Sequence, residues 1–162
     1  MRYSMSLSLE RLTEADAKNL LAFERDNRAF FEAYVPSRGE SYFVWDEFLK
    51  RHDALLAEQA DGTSSFFLLK ENGQIVGRVN VTDIVDGVGD LGYRVGADSG
   101  GKGYATEGVR LALARVDATV VRAKTLPDNV GSQRVLEKAG FKQTFDQEDG
   151  FVYFEFRRDS NS

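Results

Sequence analysis

The chain has no cysteine among its 162 residues. That excludes disulfides, thiolate metal sites and a cysteine nucleophile, and it suits a reducing compartment, so a cytoplasmic location is expected. Histidine is nearly as scarce. His52 is the only one, which excludes a histidine-rich metal centre and leaves any Ser-His-Asp triad this single imidazole. It lies in the polar stretch Lys50-Arg51-His52-Asp53 and is expected on a solvated helix face. Long apolar runs are missing too. Runs such as Phe66-Phe67-Leu68-Leu69 are far too short to span a bilayer, and the N-terminus lacks the apolar run of a signal peptide. Positive charge is in deficit: the net charge is −5 and the sequence pI about 5.0. With no basic cluster, nucleic acid is disfavoured as a partner.

What remains is ordinary for a soluble globular protein. Hydrophobic residues make up 42% and charged residues 29%, and the length predicts one domain over residues 1–162 with a frayed tail at 159–162. The charge is uneven along the chain. Gly89 to Gly140 carries eight Lys/Arg against six Asp/Glu, leaving thirteen against twenty elsewhere. A locally basic segment in an acidic protein suits an anionic ligand there and a cationic or amine partner elsewhere, although charges merely scattered on a surface give the same count.

The basic segment holds the most distinctive stretch. Val88 to Val95 reads as a strand with Leu91, Tyr93 and Val95 on one parity. Gly100-Gly101-Lys102-Gly103 follows, and then a helix with Ala105, Val109, Ala112, Leu113 and Val116 on one apolar stripe. A glycine loop feeding a helix N-terminus presents unpaired N–H groups and partial positive charge, which suits a phosphate or pyrophosphate. An unliganded glycine turn satisfies the same spacing. Gly96 to Lys102 fits G-x-x-x-x-G-K, but Gly103 stands where Ser or Thr must hold magnesium, which argues against a nucleotide triphosphatase. The dinucleotide fingerprint also fails, because Thr106 replaces its third glycine.

The rest of the chain alternates helices and strands. A strand is predicted over Ser4–Leu9, then a helix capped by Thr13 in a Thr-x-x-Asp box and running to about Arg25. A second short helix is expected over Asn27–Val35, ending before Pro36, and a longer one over Ser41–Ala60. Phe66–Lys70 and Gln74–Ile84 flank Asn72-Gly73, a hairpin signal, and Asp86-Gly87 makes the second turn of an antiparallel meander. After the central helix come a strand at Thr119–Lys124, a helix from Asn129 to Gly140, and a closing hairpin of Phe141–Phe145 and Phe151–Arg157. In the last helix Ser132 shares a face with Val135, Leu136 and Ala139, so its hydroxyl points to the interior or a cleft. Asn129 as N-cap, with Ser132 bonded to backbone, is the plain structural alternative.

Taken jointly, Gly101-Lys102-Gly103-Tyr104-Ala105-Thr106-Glu107, Asn129-Val130-Gly131-Ser132, Leu136-Glu137-Lys138-Ala139-Gly140-Phe141 and Asp90-Leu91-Gly92-Tyr93-Arg94-Val95 resemble the GNAT acetyltransferase superfamily, and within it the RimJ/RimL-like branch. The resemblance covers nearly the whole chain. It implies an α/β fold with a mixed, mostly antiparallel sheet flanked by helices. It also implies acetyl-CoA as co-substrate, no metal, and direct transfer of an acetyl group to a primary amine. A protein N-terminal α-amine is the first expectation. A small amine or amino-sugar, or an acyl-CoA-binding module without catalysis, are the alternatives, as monomer or homodimer.

By that resemblance Tyr93, Arg94 and Val95 line the pantetheine, and the backbone of Gly100, Gly101, Lys102, Gly103, Tyr104, Ala105 and Thr106 holds the pyrophosphate. Asn129 lies on the pantetheine or sulfur side. Ser132 donates a proton to the leaving thiolate. Arg134 meets a CoA phosphate, unless it belongs to a solvated helix face. The superfamily loop usually begins with Gln or Arg where this chain has Gly100. The backbone cradle is expected to survive, with acetyl-CoA affinity the property affected. The general base is expected among carboxylates. Asp83 shares parity with Ile75, Val79 and Val81, so an unbroken strand aims it at the acceptor cleft, whereas an earlier strand end makes it a turn residue. Asp90, Glu32 and Asp146 are further candidates.

Overall fold

The structure, a computed structural model, describes residues 7–146 and 148–158. The expected strand residues Ser4 to Ser6 and the tail 159–162 lie outside that range. Among the described residues seven strands form one sheet in the order β1-β2-β3-β4-β5-β7-β6. They are β1 (Leu7–Arg11), β2 (Ser65–Glu71), β3 (Gln74–Val85), β4 (Val88–Val95), β5 (Val120–Thr125), β6 (Lys142–Gln143) and β7 (Val152–Arg157). Every neighbouring pair is antiparallel except β4 and β5. That one parallel contact requires a crossover, which α4 (Tyr104–Arg115) supplies. The remaining helices are α1 (Ala17–Asp26), α2 (Arg28–Glu32), α3 (Trp45–Ala60) and α5 (Val130–Lys138). The α/β fold anticipated from the sequence, mixed but mostly antiparallel, is the one observed.

The apolar run of β2 shows why the sheet is layered on both sides. Phe67 and Leu69 join Val79, Val81, Val109, Ala112, Leu113 and Leu136 in one core, beneath α4 and α5. Phe66 and Leu68 point the other way and join Leu20, Leu21, Phe23, Phe31 and Phe48, beneath α1, α2 and α3. Four consecutive buried residues therefore serve two cores, as strand alternation dictates.

Several local expectations are revised. The helix predicted from Ser41 begins instead as a 3-10 turn, Glu40–Phe43, followed by extended Val44, before α3 starts at Trp45. The second helix is only Arg28–Glu32. Thr13 and Asp16 do make the expected box: the Asp16 carboxylate accepts from the Thr13 amide at 2.8 Å and its hydroxyl at 3.0 Å. His52 is not solvated. It is 1% exposed, with Nε2 2.9 Å from the Thr13 carbonyl. One α-helical face of α3 lies on the β1–α1 junction. There Gln59, two turns beyond His52, donates to the Leu12 carbonyl at 2.9 Å and accepts from the Phe66 amide at 3.1 Å. The charged neighbours of His52 concealed this, because helix burial follows the 3.6-residue period and not local composition.

Beneath α1 lies a buried ion cluster. Glu24, 1% exposed, accepts from Arg78 of β3 at 2.9 Å and from Arg94 of β4 at 3.2 Å. The first-order cost of burying a carboxylate is offset only while both partners are present. Replacing Glu24→Gln leaves two guanidinium groups without their counter-charge and is expected to lower stability by about 3 kcal/mol, read as a drop in urea midpoint at unchanged slope. A Cβ added at Gly77 of β3 would stand 2.8 Å from the backbone carbonyl of Arg94, so β4 must shift to admit it. Gly77→Ala is expected to cost about 1–3 kcal/mol in the same measurement.

Candidate active site

Strands β4 and β5 pair only through Val88–Val120, Gly89–Val121 and Asp90–Arg122. Beyond that point β4 stays with β3 as far as Val95, and β5 stays with β7 as far as Thr125. The sheet opens between them. The gap is a cleft of about 720 Å³, walled by β4 from Leu91 to Val95, by the end of β5, by Asn129, Ser132, Val135 and Leu136 of α5, and by Phe30, Phe31 and Tyr34 on the opposite side. Backbone N–H and C=O groups on the two parted edges have no ladder partner across the gap, so a ligand bearing amides can pair with them.

Tyr93 and Ser132 meet in this cleft. Strand parity sends the Tyr93 ring to the α5 side, and the helix stripe that buries Leu136 turns Ser132 toward it. The phenol oxygen and the Ser132 Oγ are 2.7 Å apart. Burial raises the Tyr93 pKa above its ordinary value, and the Ser132 hydrogen bond opposes this only in part. The phenol is therefore protonated at neutral pH and can carry a hydrogen to its neighbour. Asn129 caps α5, its Oδ1 accepting from the Ser132 amide at 3.1 Å. The cap and the cleft-lining position belong to the same residue.

Arg94 also lines the cleft, but its guanidinium leaves on the other face of the sheet, toward Glu24, and lies 4.4 Å from the Phe31 ring centroid. Its side chain thus holds the α2 wall in place. Neither Glu24 nor Arg78 was anticipated from the sequence. A signal was present for Glu24, which follows buried Leu20 by four residues and so falls on the apolar stripe of α1.

The glycine loop stands at the end of β4. Asn27 secures its start, its side-chain oxygen accepting from the Ala97 amide at 2.9 Å. Gly101 and Gly103 both have φ of +78°, a left-handed conformation that strains any residue with a Cβ. Gly103 precedes the first residue of α4 and provides no side-chain cap. Among the described residues, no hydrogen bond takes up the amides of Gly101, Lys102, Gly103, Tyr104, Ala105 or Thr106. Six consecutive open N–H donors at a helix N-terminus fit a pyrophosphate. The Tyr104 hydroxyl donates to Glu71 and its pKa is raised by that carboxylate, so its side chain anchors the helix while its backbone faces the loop. Gly100 has φ of −67°, and a Cβ there would come no nearer than 3.7 Å to any atom. The loop has room for the missing side chain. Arg134 is exposed on the outer side of α5 and does not line the cleft.

Asp83 is not brought to the site. The β3–β4 register slips between Thr82 and Val85, Asp83 takes a φ of +54°, and its side chain is exposed outside the cleft lining. The parity argument required an unbroken strand, and the bulge breaks it just before that residue. Glu32 is tied to Arg28 at 2.9 Å and to the Ser37 hydroxyl at 2.9 Å, contacts that hold its carboxyl below the usual range. Asp90 and Asp146 are better placed. With Glu148 and Glu155 they line a second hollow of about 560 Å³, which shares Leu91, Ala123 and Lys124 with the cleft. Arg122 and Tyr153 complete it. Four carboxylates against Arg122 and Lys124 leave this entrance acidic.

Comparison with known proteins places the chain. Residues 6–142 match the family described as the acetyltransferase (GNAT) domain. The chain is 31% identical over 140 residues to the probable N-acetyltransferase YjcK of Bacillus subtilis (strain 168), covering 80% of this chain and 77% of that one. In structure it is similar to RimL, a ribosomal L7/L12 α-N-protein acetyltransferase in complex with coenzyme A, with a TM-score of 0.86, 16% identity and 98% of both chains covered. It is also similar to AAC(6')-Ib in complex with paromomycin and acetyl-CoA, with a TM-score of 0.74, 21% identity and 94% of both chains covered. With its glycine cradle, parted strands and family match together, the chain belongs to the GNAT acetyltransferases and is an acetyl-CoA-dependent N-acetyltransferase.

Proposed function

We propose that the chain acetylates the α-amine of a protein N-terminus by direct transfer in the cleft between β4 and β5. The observation that carries this reading is the Tyr93–Ser132 hydroxyl pair, 2.7 Å apart, set between the parted strands in a cleft whose described lining holds no carboxylate. The open amides from Gly101 to Thr106 hold the pyrophosphate, with the positive end of α4 behind them. Lys102 supplies charge at the rim, and Arg134 reaches an outlying phosphate. Tyr93, Arg94 and Val95 offer their strand edge to the pantetheine amides, and Asn129 closes the sulfur end.

The chemistry asks little of the protein. The amine nitrogen attacks the thioester carbonyl, the carbon–sulfur bond breaks, and the leaving sulfur takes the Ser132 hydrogen, which Tyr93 can replace. A thiol with a pKa near 8.5 leaves readily. An α-amine with a pKa near 8 is in part neutral at working pH, whereas a lysine near 10.4 must lose its proton at a cost of roughly 4 kcal/mol. The amine's proton passes through water to the adjoining hollow, where Asp90 and Asp146 stand. A second reading has its own support. The four carboxylates of that hollow suit a small amine with more than one positive charge, and the structural relatives include one solved with an aminoglycoside.

A panel of peptides with free N-termini, a polyamine and an amino-sugar, scored by product mass and kcat/KM, tests the choice. Peptides are expected to lead, and a clear preference for the polyamine or amino-sugar would overturn the N-terminal assignment. With the preferred acceptor, Ser132→Ala is expected to lower kcat about 10- to 100-fold, at the modest end for a general acid because the thiolate needs little help. Acetyl-CoA affinity should change by less than about twofold. Gly100→Arg is expected to tighten acetyl-CoA binding about fivefold, the effect of one added charge-assisted contact of about 1 kcal/mol, measured calorimetrically.

A further inference from the structure

A third cavity lies away from the cleft, on the helical side of the sheet that carries α1 and α3. It is about 220 Å³ in volume and is lined by Arg38, Tyr42, Arg51, His52 and Arg78, with Leu20 and Phe48 among its apolar walls. Arg78 is 6% exposed and donates to Glu24 at 2.9 Å and to the Tyr42 hydroxyl at 3.4 Å. Arg38 donates to the same hydroxyl at 3.1 Å, and Arg51 lies 5.5 Å from the Tyr42 ring centroid. The carboxylates near these groups are Glu24, which is shared with Arg94, and Glu47, 3.8 Å from Arg51. Four guanidinium groups thus face two carboxylates, and the one that is deeply buried serves two of them. Arg38 and Arg51 are exposed and Arg78 is buried, and a buried positive charge is costly unless it is balanced.

His52 supplies an independent observation. Its Nε2 lies 2.9 Å from a carbonyl oxygen, so that nitrogen carries the hydrogen, and a neutral ring then leaves Nδ1 as an acceptor. Nδ1 is buried and has no hydrogen-bond partner among the described residues. An acceptor without a donor, beside arginines without enough anions, calls for a ligand that brings negative charge and one O–H together.

We propose that this cavity is a binding site for inorganic phosphate. The guanidinium groups of Arg38, Arg51 and Arg78 hold its oxygens, and the hydrogen of its remaining P–OH is donated to His52 Nδ1. Sulfate has the same shape but no hydrogen to give. The site is separate from the glycine loop. Glu24, which Arg78 and Arg94 share, links it to the cleft wall.

The single histidine makes the test direct. The imidazole resonances of His52 are followed by NMR as inorganic phosphate is added at constant ionic strength, with coenzyme A saturating so that the glycine loop is filled. A saturable shift is expected. It should weaken at least about tenfold in Arg38→Gln/Arg51→Gln, which removes two charge-assisted partners, and sulfate should bind more weakly than phosphate. No saturable shift, an equal shift in the double variant, or equal binding of sulfate would overturn the assignment. Both arginines are exposed. If the double variant fails to fold, Arg51→Gln alone serves: a smaller loss in the same direction supports the site, and an unchanged titration overturns it.

Discussion

Three residue pairs hold β4 against β5, and then the strands separate. The candidate site depends on that separation. A parallel pair continued to its full length would close the cleft, bury Tyr93 against β5 and leave the glycine loop at the end of a sealed sheet. Instead the gap leaves two unpaired edges, and Tyr93 spans from β4 to Ser132 on α5. The hydroxyl pair is a tie across the opening, and among the described residues of the lining it is the one hydrogen bond between two hydroxyls.

The two walls of the opening are held by different forces. On the α5 side, Leu136 is packed into the core with Val109, Val121 and Phe154, and the Asn129 cap sets where the helix begins. On the α2 side, electrostatics does the same work: Glu24 draws in Arg94, and the Arg94 guanidinium lies on Phe31. Trimming the apolar wall costs stability in step with the volume removed, whereas removing one partner of the charged wall strands the others in a poorly solvated place. This cluster joins the cleft wall to the arginine-lined cavity beneath α3, so charge placed at either end is felt at Glu24.

The site also divides its labour by face. The glycine cradle, Asn129 and Ser132 lie on the α4 and α5 side of the sheet, where backbone amides and a helix dipole favour an anionic ligand. The acidic hollow lies beyond Leu91 and Ala123, where carboxylates favour a cationic one. Ligands of opposite charge can therefore be accommodated side by side without competing for a surface.

Much of this was legible in the chain. Local rules placed the Asn72-Gly73 hairpin, the glycine loop, the Thr13 box and the face that Ser132 shares with Leu136, because each depends on residues within a turn or two of one another. The family resemblance followed from the same short motifs. Tertiary structure alone decided the rest. Asp83 left the cleft because a bulge interrupts β3, and a bulge is set by pairing with another strand. His52 was buried because α3 is laid against the β1–α1 junction, a contact between segments 39 residues apart. Glu24 met Arg78 and Arg94 across 54 and 70 residues. Short-range preferences fix where elements begin and which face is apolar. Which charges meet, and where a sheet opens, are decided only when distant segments are packed together, since those energies depend on distances that the order of residues does not contain.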